Sequence, residues 1–337
     1  MPAVLSPEQK EGVYIAGGFA HPALTEGITH GLGVAMGPVE HKVHPNGELY
    51  SRYGESVRGK HVFIIQPHAA NGKQTVNDAI MQQCLLADAA RSSSAAEITA
   101  VSPYLAYTRQ DRKTKGREPI GIRVLINQLA SAGVDRIVAV DMHSPQAQGI
   151  FNGPFDHLTA QPLLRRAMRE EVAGYDIEEC LVVAPDAGAA KMSERHRAKL
   201  GLGILHLAKM RDPQDSQRIR RDEKVPEADG RVCILFDDMI DTAGTLVSAA
   251  EALKGSGAKA VYVAATHAVF SDPAVERLKS DVIDKILVTD TFPTDVAQEE
   301  LQDKLRVVRV APTIAQALIQ IITNGSVSEI FDDQNHM

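Results

Sequence analysis

No apolar run in the sequence approaches the ~20 residues that a membrane-spanning helix requires, which argues against an integral membrane protein. Residues 1–12 show no basic start followed by an apolar stretch, and we therefore expect no secretory signal. Positive charge is also in deficit, because 36 lysines and arginines face 43 aspartates and glutamates, giving a net charge of -7. That balance disfavours a general binder of nucleic acid or anionic membrane, although it remains compatible with a local basic site.

Cysteine is scarce, and the three residues of this type are Cys84, Cys180 and Cys233. They lie far apart among apolar neighbours, a spacing that fits neither a disulfide framework nor a zinc site. We expect buried thiols in a reducing compartment. These scarcities together predict a soluble, cytoplasmic protein that binds neither nucleic acid nor membrane.

The length of 337 residues exceeds what one hydrophobic core usually supports, and it predicts two domains of roughly 150 residues each. Short β-branched segments recur, and most lack polar alternation, so both faces of each strand should be buried. Helix-length segments such as 75–93 and 119–133 separate them. This alternation predicts an α/β fold with mostly parallel sheets flanked by helices. The predicted strands are 61–67, 97–103, 136–142, 180–186, 202–208, 231–238, 260–267 and 285–290.

An internal repeat is visible within this alternation. Residues 125–143 and 249–267 align when shifted by 124 positions, which superimposes His143 on His267. Each copy is a helix that ends near a glycine, followed by a buried strand that ends in histidine. Two generic αβ units could match by chance, but the shared order favours two copies of one domain. The predicted domains are 1–155 and 156–337.

Residues 234–246, ILFDDMIDTAGTL, carry the most specific chemical pattern in the chain. A buried strand reaches the adjacent acids Asp237 and Asp238, and a turn of small and hydroxyl residues then opens a helix. The N–H groups and the positive dipole end of such a helix suit a monophosphate, while the acids can accept hydrogen bonds from ribose hydroxyls. Helix capping would account for one acid and one threonine, but not for the whole run. The turn consists of Asp241, Thr242, Ala243, Gly244 and Thr245.

A basic loop, residues 103–120, follows the predicted strand 97–103 and contains Arg109, Gln110 and further cations. Ligand sites of α/β proteins form at the carboxyl ends of strands, so positive charge there suits a polyphosphate. The alternative is a solvated basic loop. His143 lies at the end of another predicted strand, where a lone histidine is usually structural.

Together and in this order, these segments resemble the ribose-phosphate diphosphokinase (phosphoribosyl pyrophosphate synthetase) family, from about residue 40 to residues 324–331. The resemblance implies two tandem phosphoribosyltransferase-like domains, the first on the ATP side and the second on the ribose 5-phosphate side. It implies transfer of the diphosphoryl group of ATP to the C1 hydroxyl of ribose 5-phosphate, with Mg²⁺ as the cofactor. It also implies a homo-oligomer in which dimers assemble into hexamers.

The resemblance further implies roles for single residues. Lys209 falls on the catalytic lysine, and Arg211 falls on an arginine that contacts the ribose phosphate. For magnesium, His143 falls on the Mg-ATP histidine and Asp186 on a second metal position. Without the family, Asp186 reads as a helix N-cap and Lys209 as a surface cation. The implied ATP-binding residues are Asn46, Gly47, Glu48, Arg109, Gln110 and His143, and the implied ribose-5-phosphate-binding residues are Arg211, Asp237, Asp238, Asp241, Thr242, Ala243, Gly244 and Thr245.

Three segments depart from the family pattern. The adenine loop usually reads Phe-Pro-Asp-Gly-Glu, whereas residues 44–48 read His-Pro-Asn-Gly-Glu. Histidine can stack on a purine as phenylalanine does, and asparagine offers both a donor and an acceptor, which bears on base selectivity. Residues 67–75 form a longer and more basic loop, and residues 184–196 lack the common Gly-Gly form. These two bear on regulation by phosphate or ADP and leave the catalytic set intact.

Two other functions stay open. A phosphoribosyltransferase would share residues 234–246, but it would not need the second α/β copy, His143 or the loop with Arg109. A catalytically silent regulatory homologue should have lost cationic or acidic site residues. Lys209, Arg211, Asp237 and Asp238 are all present.

Overall fold

The computed structural model describes residues 4–207 and 225–331. In these ranges it contains two parallel sheets, of five and six strands, and a separate antiparallel hairpin. The strands are β1 (Val13–Gly17), β2 (Val39–Val43), β3 (Leu49–Tyr53), β4 (His61–Ile65), β5 (Glu97–Ser102), β6 (Arg136–Val140), β7 (Phe155–Leu158), β8 (Cys180–Ala184), β9 (Gly203–His206), β10 (Val232–Ile240), β11 (Ala260–Ala268), β12 (Lys285–Thr289) and β13 (Leu305–Val308). The helices are α1 (Pro7–Glu11), α2 (Pro22–Leu32), α3 (Val76–Ser92), α4 (Gly121–Ser131), α5 (Gln161–Glu171), α6 (Ala190–Leu200), α7 (Gly244–Gly255), α8 (Ala274–Leu278), α9 (Asp295–Leu301) and α10 (Ala311–Ile322).

The predicted α/β fold with mostly parallel sheets is confirmed. Each of the eight predicted strands is present, as β4, β5, β6 and β8–β12. All nine residues of β11 are buried, as the lack of polar alternation indicated. The sequence did not reveal β1, β7, β13 or the hairpin strands β2 and β3. Strands β7 and β13 have only four residues each, and β2 and β3 contain half-buried and exposed residues in place of a buried run.

The first compact unit contains residues 4–160, 291–293 and 310–331. Its strands are parallel in the order β1-β4-β5-β6-β7, so their carboxyl ends lie along one edge. Helix α3 begins with a capping box in which the Asp78 N–H donates to the Thr75 hydroxyl and the Thr75 N–H donates to the Asp78 carboxylate. The β2–β3 hairpin packs on α3, where the Tyr53 hydroxyl donates to the Leu86 carbonyl at 2.9 Å.

Helix α10 comes from the far end of the sequence and packs on α2 in this unit. Glycines on α2 face alanines on α10, and each pair is spaced by four residues. A Cβ at Gly27 would lie 2.8 Å from the Cβ of Ala311, and a Cβ at Gly31 would lie 2.6 Å from the Cβ of Ala315. The two helices therefore lie so close together that any residue with a Cβ at position 27 or 31 would require one helix to shift.

The second compact unit contains the described residues of 161–290 and 294–309. Its parallel strands have the order β13-β12-β11-β10-β8-β9. Helix α6 covers β10 through His196, whose ring stacks on Phe236 with centroids 3.7 Å apart and planes 5° apart. This contact buries the strand immediately before Asp237.

The sequence repeat corresponds to the same pair of elements in both sheets. Helix α4 precedes β6 in the first unit, and α7 precedes β11 in the second. Strand β6 begins at Arg136 and β11 at Ala260, a spacing of 124 residues. Each of these strands lies between two parallel neighbours. The repeat thus reflects a shared αβ unit in the interior of each sheet.

The compact units and the predicted domains differ at the carboxyl end. The predicted boundary between residues 155 and 156 lies five residues before the division at 160, whereas residues 310–331 pack with the first unit. The predicted second domain was one continuous stretch to residue 337. Tertiary packing of α10 on α2 produces this difference, because neighbours along the chain need not be neighbours in space.

The cysteines are unpaired thiols, as predicted. Cys180 and Cys233 are buried and Cys84 is half-buried. Burial raises the pKa of Cys84 to about 11 and that of Cys233 to about 12, so both remain protonated at neutral pH. Among the helices within 4–207 and 225–331, none combines the length and the apolar character of a bilayer-spanning segment.

Candidate functional site

Residues 44–48 form the loop that connects the strands of the β2–β3 hairpin. The His44 N–H donates to the Glu48 carbonyl and the Gly47 N–H donates to the His44 carbonyl, each at 2.8 Å. Gly47 has a φ of 91°, a conformation that favours glycine. The Asn46 side-chain oxygen accepts the Glu48 N–H at 3.2 Å, a role that the oxygen of the family's aspartate could fill equally well. The turn exposes Asn46, Gly47 and Glu48, the predicted ATP-binding residues of this loop.

His41 connects this hairpin to the carboxyl end of β1. Its Nε2 lies 2.9 Å from the Gly17 carbonyl oxygen, which can only accept, so Nε2 carries the proton. Nδ1 then accepts from the amide of Gln82 at 3.1 Å and from the hydroxyl of Ser51 at 3.0 Å. Burial lowers the pKa of His41, which agrees with the neutral ring that these hydrogen bonds require. A neutral histidine therefore holds the base of the hairpin.

Asp111 links the basic loop after β5 to the segment after β6. Its Oδ2 accepts from the Ser144 hydroxyl at 2.6 Å and from the Gln146 amide at 2.8 Å. The hydrogen bond from Ser144 is the largest cause of the lowered pKa of Asp111. Strands β5 and β6 are parallel neighbours, so the two segments leave the sheet side by side.

Three predicted ATP-binding residues lie on these two linked segments. Arg109 and Gln110 directly precede Asp111, and His143 directly precedes Ser144; all three are exposed. The basic loop is closed further along by Glu118, whose carboxylate accepts the N–H and the hydroxyl of Thr114 at 2.7 and 2.8 Å. The structure thus brings Arg109, Gln110 and His143 to adjoining positions on the first unit.

In the second unit, Asp237 and Asp238 lie on β10 and are half-buried. The strand continues to Ile240, two residues beyond the predicted end at residue 238. Burial is the main cause of a pKa of Asp237 well above its usual range, and the negative charges of Asp238 and Asp186 raise it further. Like charges therefore converge where β8 ends beside its parallel neighbour β10.

Asp186 combines this position with a local structural role. Its Oδ1 accepts the N–H of Ala189 at 2.9 Å, in the turn before α6. The alternative interpretation of Asp186 as the helix N-cap is wrong, because the N-cap of α6 is Ala189, but the Asp186 side chain does support the turn just before that helix. The charge of Asp186 also raises the pKa of Asp237, so the local hydrogen bond of Asp186 is compatible with a role beside the acid pair.

The turn at residues 241–245 leads into α7, which begins at Gly244. Its N-cap is Ala243, with φ 60° and ψ 3°, a left-handed conformation that is uncommon for alanine. Alanine has no side-chain acceptor, so ordinary side-chain capping does not explain this residue at the N-cap. The first N–H groups of an α-helix lack intrahelical partners, and together with the dipole they attract an anion. Thr242 and Thr245 are exposed beside these groups.

Two predicted site residues, Lys209 and Arg211, lie outside the described residues, and their roles remain predictions. Residues 67–75, the loop that is longer and more basic than in the family pattern, follow β4. That loop is connected to the loop after β1, because the Asn71 amide donates to the Phe19 carbonyl at 2.8 Å.

Residues that hold the site segments in place were not recognised from the sequence. Asp111 lies within the basic loop, directly before Arg112 and Lys113, and an acid beside such cations was a usable signal. His41 and Arg277 gave no such signal, since they are distant along the chain from Gly17 and Thr242, the residues they contact. Arg277, on α8, donates from Nη1 to the Thr242 carbonyl at 2.9 Å.

Two segments of the chain match the sequence profiles of known families. Residues 13–133 match the sequence profile described as the N-terminal domain of ribose phosphate pyrophosphokinase. Residues 223–332 match the profile described as the phosphoribosyl synthetase-associated domain.

Similar proteins cover nearly the whole sequence. The ribose-phosphate pyrophosphokinase of Streptomyces avermitilis is 41% identical over 334 residues, which span 99% of this chain and 100% of that protein. That of Bifidobacterium longum is 41% identical over 331 residues, or 98% of this chain and 95% of the relative. The crystal structure of phosphoribosylpyrophosphate synthetase from Mycobacterium smegmatis aligns with a TM-score of 0.83 and 38% identity, covering 93% of this chain and 100% of that one.

Proposed function

The chain belongs to the family of ribose-phosphate pyrophosphokinases, and from this premise we propose how its own residues carry out the family's reaction. The enzyme transfers the β,γ-diphosphoryl group of ATP to the C1 hydroxyl of ribose 5-phosphate. The products are 5-phosphoribosyl 1-diphosphate and AMP. The observation that carries the site assignment is the acid pair on β10 followed by the left-handed turn that opens α7.

Ribose 5-phosphate binds on the second unit in this proposal. Its phosphate meets the N–H groups at the start of α7, within residues 241–245, where the helix dipole favours negative charge. Asp237 and Asp238 accept hydrogen bonds from the ribose hydroxyls and so orient the sugar. The raised pKa of Asp237 supports this role, because hydroxyl donors would relieve part of the repulsion between the two carboxylates.

ATP binds through residues of the first unit. Arg109 and Gln110 contact the nucleotide, and His143 contacts Mg-ATP on the adjoining segment that Asp111 holds. The 44–48 loop covers the adenine, and the family resemblance supports its contribution by a neighbouring subunit. His44 is half-buried, and the centroid of its ring lies 6.3 Å from the centroid of the Tyr50 ring. An aromatic surface is therefore present at this loop.

The reaction is an in-line displacement at the β-phosphorus of ATP. The C1 oxygen of ribose 5-phosphate forms a bond to that phosphorus and its hydroxyl proton is released. The bond between the β-phosphorus and the oxygen shared with the α-phosphorus breaks, and AMP departs. Positioning and charge neutralisation contribute most of the catalysis in phosphoryl transfer. Arg109 and Lys209 neutralise charge on the transferred group in this proposal.

The residues present fit a magnesium ion that is shared with substrate phosphates. In the described ranges, no group of three or more His, Cys, Asp or Glu residues is placed so that it could hold a metal ion. Asp186 nevertheless supplies a carboxylate with hard oxygen donors, and Mg²⁺ commonly combines one or two carboxylates with phosphates and water. Asp186 would hold the ion on the second unit, and His143 would contact Mg-ATP on the first. The ion supplies neutralisation of phosphate charge when bound.

One assay tests the function directly. We expect AMP formation that requires ATP, Mg²⁺ and ribose 5-phosphate together, measured by a coupled enzyme or by chromatography. A phosphoribosyltransferase would not release AMP from these substrates, and a silent regulatory homologue would bind nucleotide without forming AMP. Either result would contradict the proposal.

Assembly and location complete the proposal. We propose dimers that assemble into hexamers, on the strength of the family resemblance. A cytoplasmic location is supported by the unpaired thiols of the described cysteines. Neither nucleic acid nor membrane is proposed as a partner, since the net charge is -7.

A further inference from the structure

Arg277 contacts the backbone of the turn that precedes α7. It lies on α8, and its Nη1 donates to the Thr242 carbonyl at 2.9 Å. The same nitrogen would lie 3.4 Å from a Cβ built at Gly244, so the guanidinium lies beside Gly244 as well. The other cation near the end of α8 has a different environment. Lys279 pairs with the carboxylates of Glu276 and Glu300 at 3.1 and 2.9 Å.

The peptide that Arg277 holds has an unusual conformation. Ala243 has φ 60° and ψ 3°, a region in which an alanine is strained because its Cβ crowds the backbone. Gly244 then begins the right-handed helix α7. Residues that alternate between left- and right-handed conformations direct successive N–H groups to one side and form an anion-binding concavity.

Peptide geometry connects Arg277 to that concavity. In a trans peptide the carbonyl and the next N–H point in opposite directions. When Arg277 binds the Thr242 carbonyl on one side, the N–H of Ala243 must point to the other side. A rotation of this peptide would break the hydrogen bond to Arg277 and would turn the carbonyl, a negative dipole end, toward the anion.

We propose that Arg277 is a positioning residue for the 5-phosphate of ribose 5-phosphate, which it serves by fixing the orientation of the Thr242–Ala243 peptide. This inference rests on the proposed function, since it concerns the same phosphate turn. Arg277 acts through the backbone: its hydrogen bond keeps Ala243 left-handed, and the N–H of Ala243 then contributes to phosphate binding. The role explains how an alanine can occupy a conformation that normally favours glycine.

The first test compares Arg277→Ala with Lys279→Ala, which removes the same charge from the same end of α8. Binding of ribose 5-phosphate to the full-length protein is measured by calorimetry, and KM values are measured for both substrates. Arg277→Ala should raise the Kd for ribose 5-phosphate by about tenfold or more, the usual loss for a hydrogen bond to a charged group. The KM for ATP should change less than twofold, and Lys279→Ala should behave as wild type. An unchanged Kd in a folded Arg277→Ala variant would overturn the inference.

A second variant separates positioning from direct contact with the phosphate. Glycine adopts the left-handed conformation without strain, so Ala243→Gly in the Arg277→Ala background should restore part of the lost affinity. No recovery in the double variant would show that Arg277 acts as a ligand of the phosphate and would overturn its positioning role. If the wild-type protein itself fails to bind ribose 5-phosphate, the proposed function fails, and this inference fails with it.

Discussion

Two histidines at equivalent positions of the internal repeat have different surroundings. His143 is exposed just beyond β6, whereas His267 is 1% exposed and lies within β11, which continues to Ala268. Strand β11 is nine residues long and β6 only five, so the histidine of the second copy is still paired in the sheet, opposite Met239. The length of the strand therefore decides which histidine can meet a ligand.

Asp111 should control the binding of ATP without touching it. Asp111→Ala removes the acceptor shared by Ser144 and Gln146, and the loop with Arg109 and Gln110 should lose its fixed position beside His143. We expect the KM for ATP to rise about tenfold, as for the loss of a charged hydrogen-bond partner, with a smaller change in the KM for ribose 5-phosphate.

Asp111→Asn is the matched control for that variant. Both hydrogen bonds are accepted by the same oxygen, Oδ2, and an asparagine can offer its oxygen there. Its KM for ATP should stay within about threefold of the wild-type value. Equal losses in the two variants would show that the charge of Asp111, and not its hydrogen bonds, matters.

Asp238→Asn should stabilise the protein and weaken its substrate binding at the same time. The charge of Asp238 contributes to the raised pKa of Asp237, so its removal relieves repulsion in the absence of ligand. The melting temperature should rise, while the KM for ribose 5-phosphate should rise more than that for ATP. A larger effect on ATP would indicate that the acids serve the metal and not the sugar.

The contact between α2 and α10 shows how one element completes a unit from far along the sequence. Gly27 and Gly31 on α2 face Ala311 and Ala315 on α10 at Cβ distances that leave no room for a larger residue. Glycine in a helix is unfavourable by itself, by about 1 kcal/mol relative to alanine. Here the close approach of the helices offsets that cost, because it buries α10 against α2 within the first unit.

Gly31→Ala should therefore destabilise the protein although alanine favours helices. The new Cβ would lie 2.6 Å from the Cβ of Ala315, and overpacking of this kind costs about 1–3 kcal/mol. Thermal or denaturant unfolding measures the change. Gly255→Ala in α7 is the control, because its Cβ would meet nothing within 4 Å, and its stability should not fall.

A double variant checks the cause. Ala315→Gly removes the methyl group that Gly31→Ala meets, so the pair should be less destabilised than the sum of the single changes. Strict additivity would mean that the two positions do not interact and that the helices do not pack as described.

Buried neutral histidines should make the whole molecule sensitive to acid. Burial lowers the pKa of His68 to about 4 and that of His196 to about 3. In the unfolded chain both return to ~6.5, so the unfolded state binds more protons between these values. The stabilisation that comes from keeping these histidines neutral is therefore fully present above about pH 6.5. As the pH drops toward 4, the free energy of unfolding falls by up to about 1.4 kcal/mol per pH unit for each group.

The pH dependence of the melting temperature measures this effect, and two variants isolate it. His68→Gln keeps a donor for Gln83 and an acceptor for the Ala106 N–H, and His196→Phe keeps the stack on Phe236. Both should flatten the decline between pH 6.5 and 5. His30→Gln, a change at an exposed residue of α2, should leave the slope unchanged.

Subunit exchange tests the proposed assembly of the whole enzyme. If the 44–48 loop completes the site of a neighbour, Glu48→Ala and Lys209→Ala damage different halves of a shared site. Each single variant should be nearly inactive, whereas mixing should restore up to about a quarter of the sites by random pairing of subunits in a symmetric dimer. No regained activity despite proven exchange would contradict a shared site and leave the assigned chemistry intact.

Local patterns in the sequence were sufficient for several features of this protein. Uninterrupted apolar segments identified β4, β5 and β10 as buried strands, because hydrophobic periodicity is a property of each segment alone. The adjacent acids and the small-residue turn identified residues 234–246 as a candidate phosphate site for the same reason. The repeat of 124 residues identified the paired αβ units.

Other features depended on which segments meet in space, and only the tertiary structure decided them. The order of the strands, the packing of α10 on α2 and the hydrogen bond from Ser144 to Asp111 join residues that no local pattern connects. The left-handed conformation of Ala243 belongs to the same group, since intrinsic preference disfavours it and a guanidinium from α8 holds the adjoining carbonyl. Long-range contacts of this kind outweigh local propensity, because each stabilises a backbone or a side chain that its own segment would not favour.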